Sequence, residues 1–284
     1  LGWGLRRGMD VGDTLWAGLE KLVYFVLFPA LLFNALARTR IDFATAAPLI
    51  ASGAAATACG IALALLARPL FRQDGSAFAS RFQCAFRFNS YIGLAVLGKL
   101  HGAAGIATMG LLIGAMVPLV NLASVWMLAR QGNLGVGREM ARNPLVLASL
   151  AGFAFSTSGL TLPDFASHFL GRLGDAAVAL GLLAVGAALR LRGPTGSPLG
   201  SCYLLAVKLI AVPAAALLVA LSLGLGRVHL DAAVLFAALP TATSAYILTQ
   251  RMGGDGAGVA WLVSANTLAA MATLPVWLSI VLRY

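Results

Sequence analysis

Apolar residues run along this chain in blocks of about twenty, and the short gaps between the blocks hold most of the charge. Wound as an α-helix, a block of that length spans the ~30 Å hydrocarbon core of a bilayer. Such blocks fall at roughly 16–37, 44–67, 79–98, 103–129, 143–161, 165–191, 199–224, 229–250 and 256–282. The pattern predicts nine membrane-spanning helices. The opening "LGWGLRRGMDVGD" reads as a helix end followed by a basic turn, with too short an apolar run for a signal peptide. It is expected to be the stump of a truncated first helix, which would make ten spans. The longest polar gap, residues 130–143, falls at the middle of the chain. Five spans on either side, an odd number, would place the two halves in opposite orientations. The expected organisation is therefore a first inverted repeat over 1–129, a cytoplasmic linker over 130–143 and a second repeat over 144–284.

Two spans break the apolar pattern near their middles. "FRFNSYIGLAV" (Phe86–Val96) carries Arg87, Asn89 and Ser90, and "AALPTATSAYILT" (Ala237–Thr249) carries Pro240, Thr241, Thr243 and Ser244. Both count as the fourth span of their repeat once the expected first helix is included. The last spans also correspond, with Asn121 in "VPLVNLAS" and Asn266 in "SANTLAAMATLP". A proline inside a helix removes a hydrogen bond and clashes with the preceding turn, at about 3 kcal/mol. In lipid the freed carbonyl must find another partner. Two readings stand at this point. The hydroxyls of Thr241, Thr243 and Ser244 can heal a kinked helix, or the span can be discontinuous and offer its second half's N–H groups to an anion. Two such breaks meeting near the midplane would form a transporter binding site.

Composition agrees with a membrane protein: 60% of the 284 residues are hydrophobic and 11% charged, against about 25% charged in soluble domains. The formal net charge of +10 does not cluster as a nucleic-acid surface would. Counted by alternate gaps, one side holds Arg6, Arg7, Lys21, Arg68, Arg72, Arg81, Arg130, Arg138, Arg142, Arg190, Arg192 and Arg251. The other holds Arg38, Arg40, Lys99, Arg172, Arg227 and Arg283. The positive-inside rule makes the first side cytoplasmic.

Arg87 and Lys208 are the basic residues placed inside apolar spans, where a central cation costs roughly 2.5–3.5 kcal/mol on insertion scales. Each could face a cavity and meet an anion. Arg87 could instead snorkel to the interface, and both could bond carbonyls of broken helices. No acidic residue is expected at comparable depth; Asp175 comes nearest. Cys59, Cys84 and Cys202 are expected to be small buried hydrophobes, since their spacing fits no metal motif. His101, His168 and His229 fall near segment ends and are expected to be solvated. "GGDGAG" (Gly253–Gly258) is expected to be a turn between spans. Enzyme motifs for phosphate binding, zinc or a serine nucleophile are absent, so neither an enzyme nor a cofactor is expected.

The ordered set "LVYFVLFPALLFNALA", "FRFNSYIGLAV", "NPLVLASLAGFAFS", "DAAVALGLLAVGAALRL" and the stretch from "LPTATSAYILT" through the last span resembles the auxin efflux carrier family, in its bacterial branch. The resemblance implies an all-α polytopic membrane protein of two inverted five-helix repeats, similar to the sodium–bile acid symporters. It implies a scaffold of spans one, two, six and seven, and a transport unit of the others, with broken fourth and ninth spans that cross. It also implies alternating-access transport of small organic anions such as malate, malonate or auxin-like acids in a bacterial inner membrane. The expected partners are such an anion and the bilayer, with a homodimer admitted and nucleic acid excluded. The expected binding residues are Arg87, Asn89, Ser90, Asn121, Lys208, Pro240, Thr241, Thr243, Ser244 and Asn266, with no metal. Arg87 departs from the small residue that the family pattern leads one to expect beside the crossover asparagine. The rival reading is a membrane receptor or assembly subunit of the same fold that binds without transporting.

Overall fold

A computed structural model describes residues 2–8, 12–38, 43–71, 74–129, 144–187 and 197–284. The expected linker 130–143 lies outside the described residues, as do Arg40, Arg72, Arg190 and Arg192. All regular structure among the described residues is helical.

In chain order, α1 is Gly2–Gly8, α2 is Asp13–Leu22, and a π-helical turn Val23–Leu27 leads into α3, Phe28–Ala37. Then come α4, Phe43–Phe71, and α5, Gly75–Phe82, which ends in a 3₁₀ turn Gln83–Ala85. The first broken span resumes as α6, Ser90–Ala129, whose helical geometry is interrupted at Gly102 (φ 58°, ψ −139°). Glycine adopts those angles without a Cβ penalty. Next are α7, Pro144–Thr157, and α8, Asp164–Ala187. α9, Pro198–Ala206, passes through a second π turn, Val207–Ala211, into α10, Val212–Ser222. α11, Arg227–Ala238, and α12, Ser244–Arg251, are the halves of the second broken span, and α13 is Gly256–Val281.

Five stretches are long and apolar enough to cross a membrane: Thr14–Asn34, Ala46–Phe71, Gly75–Leu128, Pro198–Ser222 and Gly256–Val281. The third, at 54 residues, contains two of the expected spans. Among the described residues, the other three expected spans correspond to α7, to α8 and to the pair α11 and α12, into which the 229–250 span is broken.

Two groups of helices pack together. In one, α3 lies on α7 and α8, and α1 and α2 lie on α8. Gly2 approaches Leu183 and Ala187 of α8 so closely that a Cβ would meet their backbone. In the other, α4 packs on α6, α10 and α11, while α11 also contacts α6 and α13. α6 bridges the groups through α3, α7 and α8. On this bridge Gly110 leaves room for Leu32 and Leu36, and Tyr91 stacks on Phe28 at 4.3 Å with ring planes 7° apart.

The second group is pinned at one end by an ion pair. Arg81 on α5 donates from Nε to Asp255 Oδ2 at 3.0 Å, and its Nη2 also contacts that oxygen. Asp255 caps α13 by accepting from the Gly258 N–H at 2.9 Å, so the "GGDGAG" stretch is a turn with a working N-cap. Arg81, counted in the sequence as a gap charge, is 3% exposed. Arg81→Ala should strand a half-enclosed carboxylate and lower stability by about 3 kcal/mol. Thermal unfolding in detergent checks this; an unchanged midpoint would show the pair to be decorative.

Candidate functional site

The two broken spans cross at their interruptions. Residues 87–89, ahead of α6, and 240–242, between α11 and α12, form no regular secondary structure. The Asn89 N–H donates to the Pro240 carbonyl at 2.8 Å. The Thr241 hydroxyl donates to the Cys84 carbonyl at 2.7 Å. Each break thus satisfies a backbone group of the other, as a chain without water around it must. Pro240 ends α11 because it brings no N–H to continue the ladder.

Asn89 caps the resumed helix: its Oδ1 accepts from the N–H groups of Tyr91 at 3.1 Å and Ile92 at 3.4 Å. That fixes the amide orientation and leaves Nδ2 with its two N–H donors, for which no acceptor is found among the described residues. Arg87 is 7% exposed. Its Nη2 donates to Ser244 Oγ at 3.0 Å and its Nη1 to Gln83 Oε1 at 3.2 Å. Both partners are neutral, and no carboxylate pairs with Arg87 among the described residues. The snorkelling reading of Arg87 is thereby corrected: the guanidinium turns inward to the second broken span. Gln83 is the organiser that the sequence concealed. Its Nε2 donates to Thr249 Oγ1 at 2.9 Å and to the Ser80 carbonyl at 3.1 Å, while its Oε1 receives Arg87.

Lys208 lies in the second π turn, 1% exposed, and its Nζ donates to the Ala237 carbonyl at 2.7 Å. The last carbonyls of a helix lack intrahelical partners, and a cation is favoured at that end. Lys208 thus realises the carbonyl-bonding alternative rather than facing a cavity. Thr241 is fully buried and tied to Cys84. Ser90 and Thr243 are half-buried at the starts of α6 and α12.

Asn266 is 0% exposed, and neither its Oδ1 nor its Nδ2 has a partner in the structure. Counted along α13 at ~1.5 Å per residue, it stands about 15 Å from the Arg81–Asp255 end. α12, packed on α13, returns from that end to Ser244 over about 11 Å, so Asn266 lies near the level of the crossing. Asn121 is half-buried on α6 and joins no side-chain hydrogen bond among the described residues. The structure brings Arg87, Asn89, Pro240, Thr241 and Ser244 into one cluster, and no hydrogen bond joins Asn121 or Asn266 to it among the described residues.

Other expectations are corrected. Asp231 on α11 is a buried acid that the depth argument overlooked, and His101 contacts it rather than being merely solvated. Cys202 is exposed, although Cys84 is buried as expected. No group of three or more His, Cys, Asp or Glu suited to a metal occurs among the described residues.

A family profile described as membrane transport protein matches residues 128–278, just over half of the chain. Over 299 aligned residues the chain is 26% identical to a Rhizobium meliloti (strain 1021) protein named "Putative malonate transporter". That alignment covers 96% of this chain and 89% of the relative.

Proposed function

The chain belongs to the membrane transport protein family, the auxin efflux carriers, and from that premise we propose that it is a secondary or facilitative transporter of small organic carboxylates. It works by alternating access in a bacterial inner membrane, without an enzymatic step or a cofactor. The observation that carries the substrate class is the donor set at the crossing. Arg87 is a buried guanidinium hydrogen-bonded to neutral groups, and beside it Asn89 holds an amide NH₂ whose oxygen is already committed to the cap. A carboxylate is the ligand that such donors suit best, since guanidinium–carboxylate pairs are charge-assisted and bidentate. The relative's name points to malonate as the first probe.

The organisation proposed is two inverted repeats, 1–129 and 144–284, joined by the 130–143 linker. Its support is the pairing of the two breaks, each with a carbonyl that accepts a hydrogen bond from the other, one from the Asn89 N–H and one from the Thr241 hydroxyl. The α1–α3, α7 and α8 group would be the scaffold, and the remaining helices the moving unit. Asn89, Ser90, Arg87, Thr243 and Ser244 would face the anion. Pro240, Thr241 and Lys208 would shape the break, and Asn121 and Asn266 would flank it at a second tier.

The test is uptake of radiolabelled malonate into proteoliposomes carrying the purified full-length chain. Asn89→Ala should reduce uptake about tenfold, because it removes both the donor and an N-cap worth about 1 kcal/mol. Binding of malonate without flux would identify a receptor of this fold instead. Neither binding nor flux with any small carboxylate would sink the reading.

A further inference from the structure

The half-helices that enter and leave the crossing run side by side. The first half of α6, Ser90 to His101, lies against α11, Arg227–Ala238. At the crossing end they are joined by the Asn89–Pro240 hydrogen bond. Beside that bond Phe88 meets Phe236 with ring centroids 4.4 Å apart, and further along Gly93 leaves room for Leu239. At the far end His101 Nε2 lies 2.7 Å from Asp231 Oδ2. Arg227 Nε donates to the same oxygen at 3.1 Å, and its Nη1 donates to the Val281 carbonyl of α13 at 3.2 Å. One carboxylate therefore gathers α6, α11 and α13. Its second oxygen, Oδ1, is buried without a partner.

We infer that His101 and Asp231 are positioning residues of the crossing: a proton-sensitive bracket that holds the two half-helices in register from the end remote from the ligand. His101 is the last residue before the Gly102 break, so it stands at a helix C-terminus, where a positive charge is favoured. Asp231 stands in the N-terminal part of α11, where a negative charge is favoured. Protonated imidazole brings a charge and two donors to this acid; neutral imidazole brings one donor and no charge. Imidazole ordinarily changes charge between pH 5 and 8. The bracket is thus strongest on the acid side and loosens as pH rises.

Charged or titratable groups on the elements packed here include Arg227 and His229 on α11, Lys99 on α6, Arg283 and Tyr284 after α13, and Asp164, His168, Arg172 and Asp175 on α8, which also packs on α6. α10 carries none, and Arg68, the charged residue of α4, lies at the opposite end beside Phe78 of α5. Lys208 is at the crossing end, on Ala237. Arg227 is engaged with the same carboxylate oxygen as His101.

The bracket rests on the proposed function only for its effect on flux; its structural part is tested separately. Hydrogen–deuterium exchange of the purified full-length protein in nanodiscs, corrected for intrinsic rates, should show residues 90–101 and 227–238 about fivefold better protected at pH 5 than at pH 8. His101→Gln, which keeps a neutral polar group, should abolish this pH dependence, as should Asp231→Asn. Malonate uptake by the wild type should fall over the same range, with that limb missing in His101→Gln. Protection independent of pH in the wild type, or a wild-type pH response in His101→Gln, would overturn the bracket. If the exchange behaves as expected and malonate does not move, the bracket stands and the substrate reading falls.

Discussion

Lys208→Met should leave the protein folded and cut the maximal malonate flux by about tenfold or more. The Ala237 carbonyl that Lys208 holds belongs to the last turn of α11, just before Pro240. Its neighbours in sequence form the crossing, and the Pro240 carbonyl receives the Asn89 N–H. Methionine is an unbranched side chain one atom shorter than lysine and donates no hydrogen bond. With no water at that depth to replace the ammonium, the orphaned acceptor destabilises the ordered break by about 1–3 kcal/mol. The rest of the fold does not suffer equally, because a buried cation without an acidic partner carries a desolvation cost of several kcal/mol that methionine removes. Thermal stability should therefore hold while flux falls. The kinetic signature separates this from direct ligand contact. A residue that positions the break lowers flux at saturating malonate, since fewer molecules are competent. A residue that only grips the anion raises KM and leaves the maximal rate. A Lys208→Met protein with normal maximal flux and a raised KM would return Lys208 to the ligand's side.

The difference between Lys208 and Arg87 could not be read from the chain, although both stand out there as cations in oil. Sequence shows depth along a helix, not which neighbour lies opposite, and what separates the two residues is the opposite neighbour. Lys208 meets the Ala237 carbonyl, left open where α11 ends, 29 residues later; Arg87 meets the Ser244 hydroxyl of the other broken span. The breaks themselves were legible, because proline and a polar run inside an apolar block have no cheap place in a continuous membrane helix. So was the helical class, from block length alone. Gln83 and Asp231 were missed for a shared reason. Each sits near the edge of its apolar block, where a polar residue looks like the approach to a gap. Only the packing of α12 over Gln83, and of α6 and α13 over Asp231, makes them interior. Gly102 gave no signal either, since glycine is frequent throughout this chain and only its positive φ marks the point where α6 turns.

Arg87→Gln should weaken malonate binding by about tenfold to a hundredfold without lowering the melting temperature of the ligand-free protein. A hydrogen bond to a charged group contributes roughly 1.5–3 kcal/mol, and the lost charge–charge attraction adds to it in a site shielded from water. Stability moves the other way. Arg87 is buried, and its partners Gln83 and Ser244 are neutral, so the ligand-free protein bears the desolvation of a guanidinium that no carboxylate offsets. Glutamine keeps polar atoms near Gln83 and removes the charge. The guanidinium's charge is left uncompensated among the described residues, unlike that of Arg81, which meets Asp255, and a bound carboxylate would complete it. Malonate should accordingly raise the melting temperature of the wild type and have little effect on Arg87→Gln. Arg87→Lys should recover only part of the affinity, since a lysine offers a point charge in place of the planar fork that reaches Gln83 and Ser244 together. Isothermal titration with malonate on the purified full-length protein decides the matter. Undiminished affinity in Arg87→Gln, accompanied by a fall in ligand-free stability, would make Arg87 a strut between the two breaks and leave the Asn89 amide as the site's remaining donor.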